Sequence, residues 1–298
     1  MLVSCIVLAY NSAKTVIETL ESTKNQTYKE IELIVSDDAS TDDTVKICQE
    51  WIERNKERFV RTELITVNKN TGIAENCNRS ISAAKGEWVK TIAADDILLP
   101  TCIEDFIDFI NANPEAMWVS SLCNVYRETF DDSNCLGKNR LLSHKFFEMS
   151  AEEQLKRISY ENSLFSPSIL YKRAIFREVG QYDAKYTIED WPYFVSILEH
   201  GYKCFLLEKA TIGYRMHKSL SNNGDGSIFN YSFEKKNRTF QKERCWPHLT
   251  NKEILARKAW FIFQDMFFYL HINKNNGFWN RVYYRIYNIL SSICGISR

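Results

Sequence analysis

The chain has 298 residues, 45% of them hydrophobic, which is enough to bury a sizeable core in one or two domains. Its 38 basic residues equal its 38 acidic ones, so no overall field gathers a polyanion, and nucleic acid is not expected as a partner. Nine cysteines are spread along the chain without a C-x-x-C or any close pair. That pattern fits free thiols in a reducing compartment and excludes a disulfide framework or a zinc site. The N-terminus lacks the basic flank and apolar run of a signal peptide, and no stretch of about 18 uncharged apolar residues occurs. A cytoplasmic protein that does not span a membrane is expected.

The first hundred residues alternate between short apolar runs and longer amphipathic ones. Residues 2–9 read as a strand and 12–26 as a helix capped by Asn11 or Ser12; 31–36 as a strand and 40–57 as a helix, with Ser40 and Asp43 at capping-box spacing. Residues 62–67 form a third strand, 72–86 a helix closed by Gly86, and 87–94 a fourth strand. Near-continuous apolar strands separated by helices predict a parallel sheet buried on both faces, with right-handed crossovers. Beyond Pro100, residues 101–114 read as a helix and 115–126 as a strand, while 127–165 are polar and loop-rich, with a capping box at Ser150 and Glu153. In 186–207, Pro192 suits a first helical turn, Val195, Ile197 and Leu198 supply an apolar face, and Gly201 stops the helix. A helix over 250–273 is capped by Thr250 and Glu253, and 278–296 places Phe278, Val282, Ile286, Ile289 and Ile293 on one face.

Ligands of an open parallel sheet bind beyond the carboxyl ends of its strands. Two strands end there in acidic pairs, Asp37–Asp38 and Asp95–Asp96. Carboxylates gathered at one crevice are costly unless a cation or hydrogen-bond donors offset them, and hard oxygen ligands suit Mg²⁺ or Mn²⁺. Asp38 and Asp95 are read as ligand contacts, Asp37 as structural, and Asp42 and Asp43 as turn formers or caps. No glycine precedes Gly72, which excludes the glycine-rich phosphate loop of a dinucleotide fold or Walker motif at the first turn.

The segments VLAYNSAKTVIETLESTKNQTYKEIELIVSDDASTDDT, NKNTGIAENCNRSI, KGEW, ADDILLP and IEDW, in that order over residues 1 to about 220, resemble glycosyltransferase family 2. The resemblance implies the α/β GT-A fold, a Rossmann-like, mainly parallel central sheet flanked by helices, here with a C-terminal helical extension. It implies a nucleotide-sugar-binding subdomain over 1–110 and an acceptor-binding and catalytic one over 111–225; beyond the resemblance, 226–298 reads from its own pattern as a C-terminal helical, membrane-associating segment. By resemblance, Ala9, Tyr10, Asn11, Asp38, Asn70, Gly72, Asp95 and Asp96 contact the donor, commonly a UDP-sugar. Asp95 binds the metal, Mn²⁺ or Mg²⁺, and this chain has Ala93 where members often carry a further aspartate. Residues 127–165 are where an acceptor-binding insertion is expected.

Asp190 falls at a helix N-terminus, where the dipole favours its ionised form and capping alone would justify it. The resemblance makes it the general base, with Glu189 beside it and Trp191 offering an aromatic face to the acceptor. A base on the opposite face from the leaving group inverts the anomeric centre. His217 follows a short apolar run and is a candidate for the metal or diphosphate; a solvent-facing loop histidine explains it equally, and Arg215 or Lys218 could also meet phosphates. From Asn251 onward there are seven Lys and Arg against two acids, with 11 aromatics in 48 residues. Such a basic, aromatic, amphipathic region binds membrane surfaces, with Arg281 and Arg285 at the headgroups, or docks on the catalytic domain or a second subunit. The expectation is an inverting transferase acting on a glycan or lipid-linked glycan in surface polysaccharide assembly, peripheral on the inner face of the cell membrane. A sugar nucleotidyltransferase or a non-catalytic nucleotide-sugar-binding protein are the alternatives.

Overall fold

The computed structural model describes residues 1–139, 144–162, 164–216 and 227–295. Its first half is β1 (Val3–Ala9), α1 (Val16–Lys24), β2 (Ile31–Asp37), α2 (Thr44–Asn55), β3 (Arg61–Thr66), α3 (Ile73–Ala83) and β4 (Trp88–Ala93). The apolar strands are covered on both sides because alternate side chains enter different cores. Val3, Cys5 and Val7 of β1 join Leu33 and Val35 of β2 against α1 and α2. Ile6 and Ile34 point the other way, to Ala74, Cys77 and Ile81 of α3.

The chain continues through β5 (Ile97–Leu98), α4 (Cys102–Ala112), β6 (Trp118–Arg127), β7 (Cys135–Lys138), α5 (His144–Glu148) and α6 (Ala151–Tyr160). Then come β8 (Ile169–Lys172), α7 (Ile175–Glu178), α8 (Asp190–Glu199), β9 (Phe205–Met216), α9 (Tyr231–Phe240), α10 (Asn251–Tyr269) and α11 (Gly277–Ile293). One sheet runs β3-β2-β1-β4-β8-β6-β9-β5, with β7 paired to β6. Strands β1 to β4 are parallel, as their pattern predicts. The mainly parallel sheet continues beyond them, since β9 pairs parallel with β6, with β8 inserted antiparallel to both β4 and β6. The chain passes from β4 through α4 to β6 without pairing the two, and β8 fills the slot between them. A strand of four residues carries no readable period.

Two helix boundaries also differ. Helix α1 begins at Val16 after an irregular turn in which Ser12 O accepts from Thr15 and Val16. Helix α3 ends at Ala83, and Gly86 has another task. Its N–H donates to Ser4 Oγ and to Glu32 Oε1, both at 2.9 Å, and a Cβ there would stand 2.6 Å from the backbone N of Ser4. Glu32 is fully buried and also accepts from Ser4, Arg61 and the N–H of Lys85, so one carboxylate ties β1, β2 and β3 to the loop after α3.

Both capping boxes, Ser150–Glu153 and Thr250–Glu253, form as read. The apolar face read on α11 is divided, with Val282 and Ile286 packed against the C-terminal core. Tyr283, Tyr287 and Ser291 are buried, whereas Phe278, Ile289 and Ile293 are more than half exposed. The buried side faces α10, where Trp260 packs its ring 4.7 Å from Tyr283 and 4.9 Å from Tyr287.

Gly86→Ala should destabilise the protein by about 1–3 kcal/mol through overpacking against β1. Gly277→Ala, where nothing lies within 4 Å, should be close to neutral. Urea unfolding of the two variants measures the difference.

Candidate functional site

Three loops leave the carboxyl ends of β1, β2 and β4 at one edge of the sheet, since Ala9 pairs with Asp37 and Leu8 with Ala93. Asn11 and Ala39 hold positive φ values of 50° and 65° in the first two loops, a conformation non-glycine residues adopt only when the surroundings impose it. Asn11 is held by its N–H to Ser40 Oγ (2.8 Å) and by its side-chain oxygen, which accepts from the N–H of Thr41 (2.8 Å). Tyr10 beside it is half exposed and Ala9 is buried. Asp37 is spent on the backbone and side chain of Ser40. The Ser40–Asp43 capping box therefore does not form, and Asp43 makes no side-chain cap bond. Asp42 does that work instead, accepting from the N–H of Thr44 (3.0 Å) and of Ala13 (3.1 Å).

Asp38 is buried at the head of the second loop. Its carboxylate accepts from Thr71 Oγ1 (2.7 Å), the N–H of Thr71 (3.0 Å), the N–H of Gly72 (2.8 Å) and Arg79 (3.2 Å). Burial alone would raise the carboxyl, but these donors outweigh it and hold Asp38 below the ordinary carboxylate range. Asp38 thus fixes the loop carrying Asn70 and Gly72, both exposed. Gly72 stands at φ 89° and Asn70 accepts from its N–H at 3.1 Å. Thr71 and Arg79 were not among the residues read from the sequence; Arg79 lies one residue short of two helical turns after Ile73, at an exposed-looking position that gives no signal.

Asp95 and Asp96 turn the chain after β4. Asp96 is almost fully buried, and its carboxylate accepts from the N–H of Arg215 at 2.8 Å. Burial first, and the charge of Asp95 second, push its carboxyl well above the usual range. Asp95 is partly exposed at the sheet edge. Arg215, at the end of β9, donates to Asp95 O (2.9 Å), to Glu128 O and to Glu18. Its guanidinium is thereby committed to shaping this turn, although the sequence had offered it to phosphates. Among the described residues no group of three His, Cys, Asp or Glu is arranged to hold a metal. His217 and Lys218 lie outside the described residues.

Glu189 and Asp190 open α8. Asn78 of α3 pins the segment ahead of them, exchanging two 2.9 Å bonds with the backbone of Tyr182. Helix α3 is thus a shared wall: it carries Arg79, which holds Asp38, and Cys77, whose thiol feels the charges of Glu189 and Asp190. Asp190 accepts from the N–H of Trp191 at 2.6 Å. Burial raises the Asp190 carboxyl, and burial together with the neighbouring charge pushes Glu189 up to about 8. Each of the two carboxyls therefore keeps its proton to higher pH than a solvated one does. Trp191 donates its indole N–H to Ile158 O at 3.0 Å and lies edge-on to Phe240.

Two outcomes follow. Asp38→Asn leaves buried N–H donors facing an amide and should cost about 1.5–3 kcal/mol in chemical unfolding. For Glu189, the folded carboxyl keeps its proton to higher pH than the unfolded one. The unfolded chain then binds fewer protons between the ordinary carboxylate range and about pH 8, so stability falls as pH rises across that window. Glu189→Gln should lose less melting temperature between those limits than the unaltered protein does.

A family profile described as Glycosyl transferase family 2 matches residues 4–180, well over half of the chain. The chain is 30% identical over 216 residues to the Escherichia coli UDP-Glc:alpha-D-GlcNAc-diphosphoundecaprenol beta-1,3-glucosyltransferase WfaP, covering 72% of this chain and 78% of that protein. It is 25% identical to an uncharacterized glycosyltransferase of Haemophilus influenzae over 96% of this chain and 85% of the other. The solved structure of S. aureus TarS 1–349 in complex with UDP-GlcNAc superposes with a TM-score of 0.61 at 18% identity, over 98% of this chain and 81% of that one. A mannosyltransferase from Pyrobaculum calidifontis in complex with GDP-Man and Mn²⁺ gives 0.57 at 16% identity, over 97% and 75% of the two chains. The mixed sheet with its flanking helices is the GT-A fold these structures share, and the chain belongs to glycosyltransferase family 2.

Proposed function

We propose that the protein transfers a sugar from a UDP-sugar to a hydroxyl of a glycan or lipid-linked glycan, with inversion, during assembly of a surface polysaccharide. The observation that carries this reading is the desolvated Glu189–Asp190 pair at the head of α8 in a chain of this family. A general base works best with its proton affinity near the operating pH, and desolvation moves the Asp190 carboxyl upward, in that direction. The name of WfaP supports a UDP-sugar donor and a diphosphoundecaprenol-linked acceptor. A poly-beta-1,6-N-acetyl-D-glucosamine synthase of Staphylococcus epidermidis, 25% identical over 71% of this chain, supports a role in polysaccharide synthesis.

In this reading Asp190 takes the proton of the acceptor hydroxyl while that oxygen attacks the anomeric carbon. The bond from that carbon to the diphosphate oxygen breaks, and UDP leaves with the electron pair. Ala9, Tyr10 and Asn11 border the donor nucleoside, and the loop held by Asp38 presents Asn70 and Gly72 to it. Asp95, a partly exposed hard oxygen donor, would hold a divalent cation together with the donor's phosphates, and that cation's chemistry is Lewis-acid stabilisation of charge on the phosphate oxygens. Asp96, buried and bonded to Arg215, shapes the turn that presents Asp95.

The C-terminal helices are proposed to rest on a membrane. Ten of the 17 exposed large apolar side chains among the described residues lie between Leu255 and Ile293, including Ile262, Met266, Leu270 and Ile289. Arg281 and Arg285 are exposed beside them. The two acids from Asn251 onward are withdrawn, Glu253 into its capping box and Asp265 onto Arg238 and Tyr231. A surface that is apolar, aromatic and cationic suits anionic headgroups. No helix among the described residues is long and apolar enough to cross a membrane.

Asp190→Asn should leave UDP-sugar binding intact and lower the transfer rate by about 10²–10⁴-fold; full transfer activity would remove Asp190 from the role of base. Thermal stabilisation by a panel of nucleotide sugars, with and without Mn²⁺, should favour uridine donors and grow with the metal. In co-sedimentation, vesicles containing anionic phospholipid should retain the protein, and a variant carrying Ile262→Glu and Ile289→Glu should stay in the supernatant.

A further inference from the structure

A cavity of about 290 Å³ lies between the start of α8 and the C-terminal helices. Trp191, Glu234, Gln241, Arg257, Trp260 and Gln264 are among its lining residues. They come from separate elements: the α8 turn that holds Asp190, α9 and the turn after it, and α10. The chemistry of this lining narrows what fits. Glu234, Gln241, Arg257 and Gln264 crowd hydrogen-bonding groups into a space too polar for an alkyl chain. Glu161 also lines it, so carboxylates outnumber the single guanidinium, which disfavours a phosphate or diphosphate.

The polar groups are also incompletely used by one another. Arg257 is 6% exposed and donates to Gln241 at 2.5 Å, yet its Nε has no partner. Gln264 holds its partners loosely, donating to Tyr283 at 3.2 Å and to Glu234 at 3.5 Å and accepting from Arg238 at 3.4 Å. Buried donors and acceptors with spare capacity invite a neutral guest carrying many hydroxyls. The indoles of Trp191 and Trp260 add apolar ring surface. A pyranose presents both halves of that demand, an apolar C–H face and a rim of hydroxyls that donate to carboxylates and accept from guanidinium and amide.

We propose that this cavity is a carbohydrate subsite that receives one sugar ring of the acceptor, adjoining the ring whose hydroxyl meets Asp190. The assignment rests on the transferase reading, because Trp191 follows Asp190 directly and brings the cavity to the reacting end of α8. The volume sits at the small end for ligand sites, which suits a single ring. The C-terminal helices then have a second task besides the membrane: their inner side selects the acceptor, and their outer side meets lipid.

The test uses the full chain with UDP present. Saturation-transfer NMR is recorded with the methyl glycosides of glucose, galactose, N-acetylglucosamine and N-acetylgalactosamine, for the unaltered protein and for Glu234→Gln and Gln264→Leu. At least one glycoside should receive saturation from the unaltered protein, and both variants should lose it while keeping UDP affinity and melting temperature. With a transferable acceptor, acceptor KM should rise about tenfold or more, with kcat and donor KM nearly unchanged. No transfer to any glycoside, or undiminished transfer in both variants, would overturn the subsite and leave the transferase reading standing. Variants that lose melting temperature while acceptor KM stays unchanged would make these residues structural and overturn it equally. Absence of UDP binding in the unaltered protein would instead sink the transferase reading, and the subsite with it.

Discussion

A carboxylate taken out of water is stable only when donors replace the water it lost, and this molecule treats its buried acids in two opposite ways. Glu32 and Asp38 receive several donors each and are held ionised. They act as knots: Glu32 joins three strands to the loop after α3, and Asp38 fixes the Thr71–Gly72 loop. Asp96, which is buried, and Glu189 and Asp190, which are half-buried, have few donors and hold protons more tightly than ordinary carboxylates. The first group keeps the loops in place. In the second, Asp96 shapes the turn after β4 through Arg215, and the Glu189–Asp190 pair is the one to which the proposal gives the chemistry.

The sheet brings these groups near one another without any of them being close in sequence. Parallel strands deliver the loops after β1, β2 and β4 to a single edge, and α3 spans from that edge to the head of α8. Arg215 closes the arrangement from the far side of the sheet, reaching from the end of β9 to the turn after β4. The donor side of the proposed reaction therefore rests on strand ends, and the acceptor side on helix starts, with α3 between them.

Much of this was legible in the sequence wherever a short-range signal exists. The strands from Val3 to Ala93 announce themselves by continuous apolar runs, and the acidic pairs at Asp37 and Asp95 are visible because they interrupt those runs abruptly. The capping boxes at Ser150 and Thr250 follow from spacing alone. The one at Ser40 does not form, because its hydroxyl accepts from the N–H of Asn11 and donates to Asp37, while the helix begins only at Thr44. Strand β8 was hidden by its length. Tyr283 and Tyr287 went unremarked on α11 because a search for aliphatic periodicity passes over tyrosines, whose rings pack against the indole of Trp260 across the helix pair. The cavity beside Trp191 left no trace at all, since its polar lining is assembled from segments up to roughly a hundred residues apart.

The central claim is that burial at the head of α8 tunes a carboxylate to act as a base near neutral pH. The pH dependence of kcat/KM for sugar transfer tests it most directly, because that ratio reports ionisations of the free enzyme. The account predicts an acid limb whose midpoint lies above the ordinary carboxylate range and which vanishes, together with most of the rate, in Asp190→Asn. A flat profile from about pH 5 to about pH 8, or a limb that survives that substitution, would contradict it.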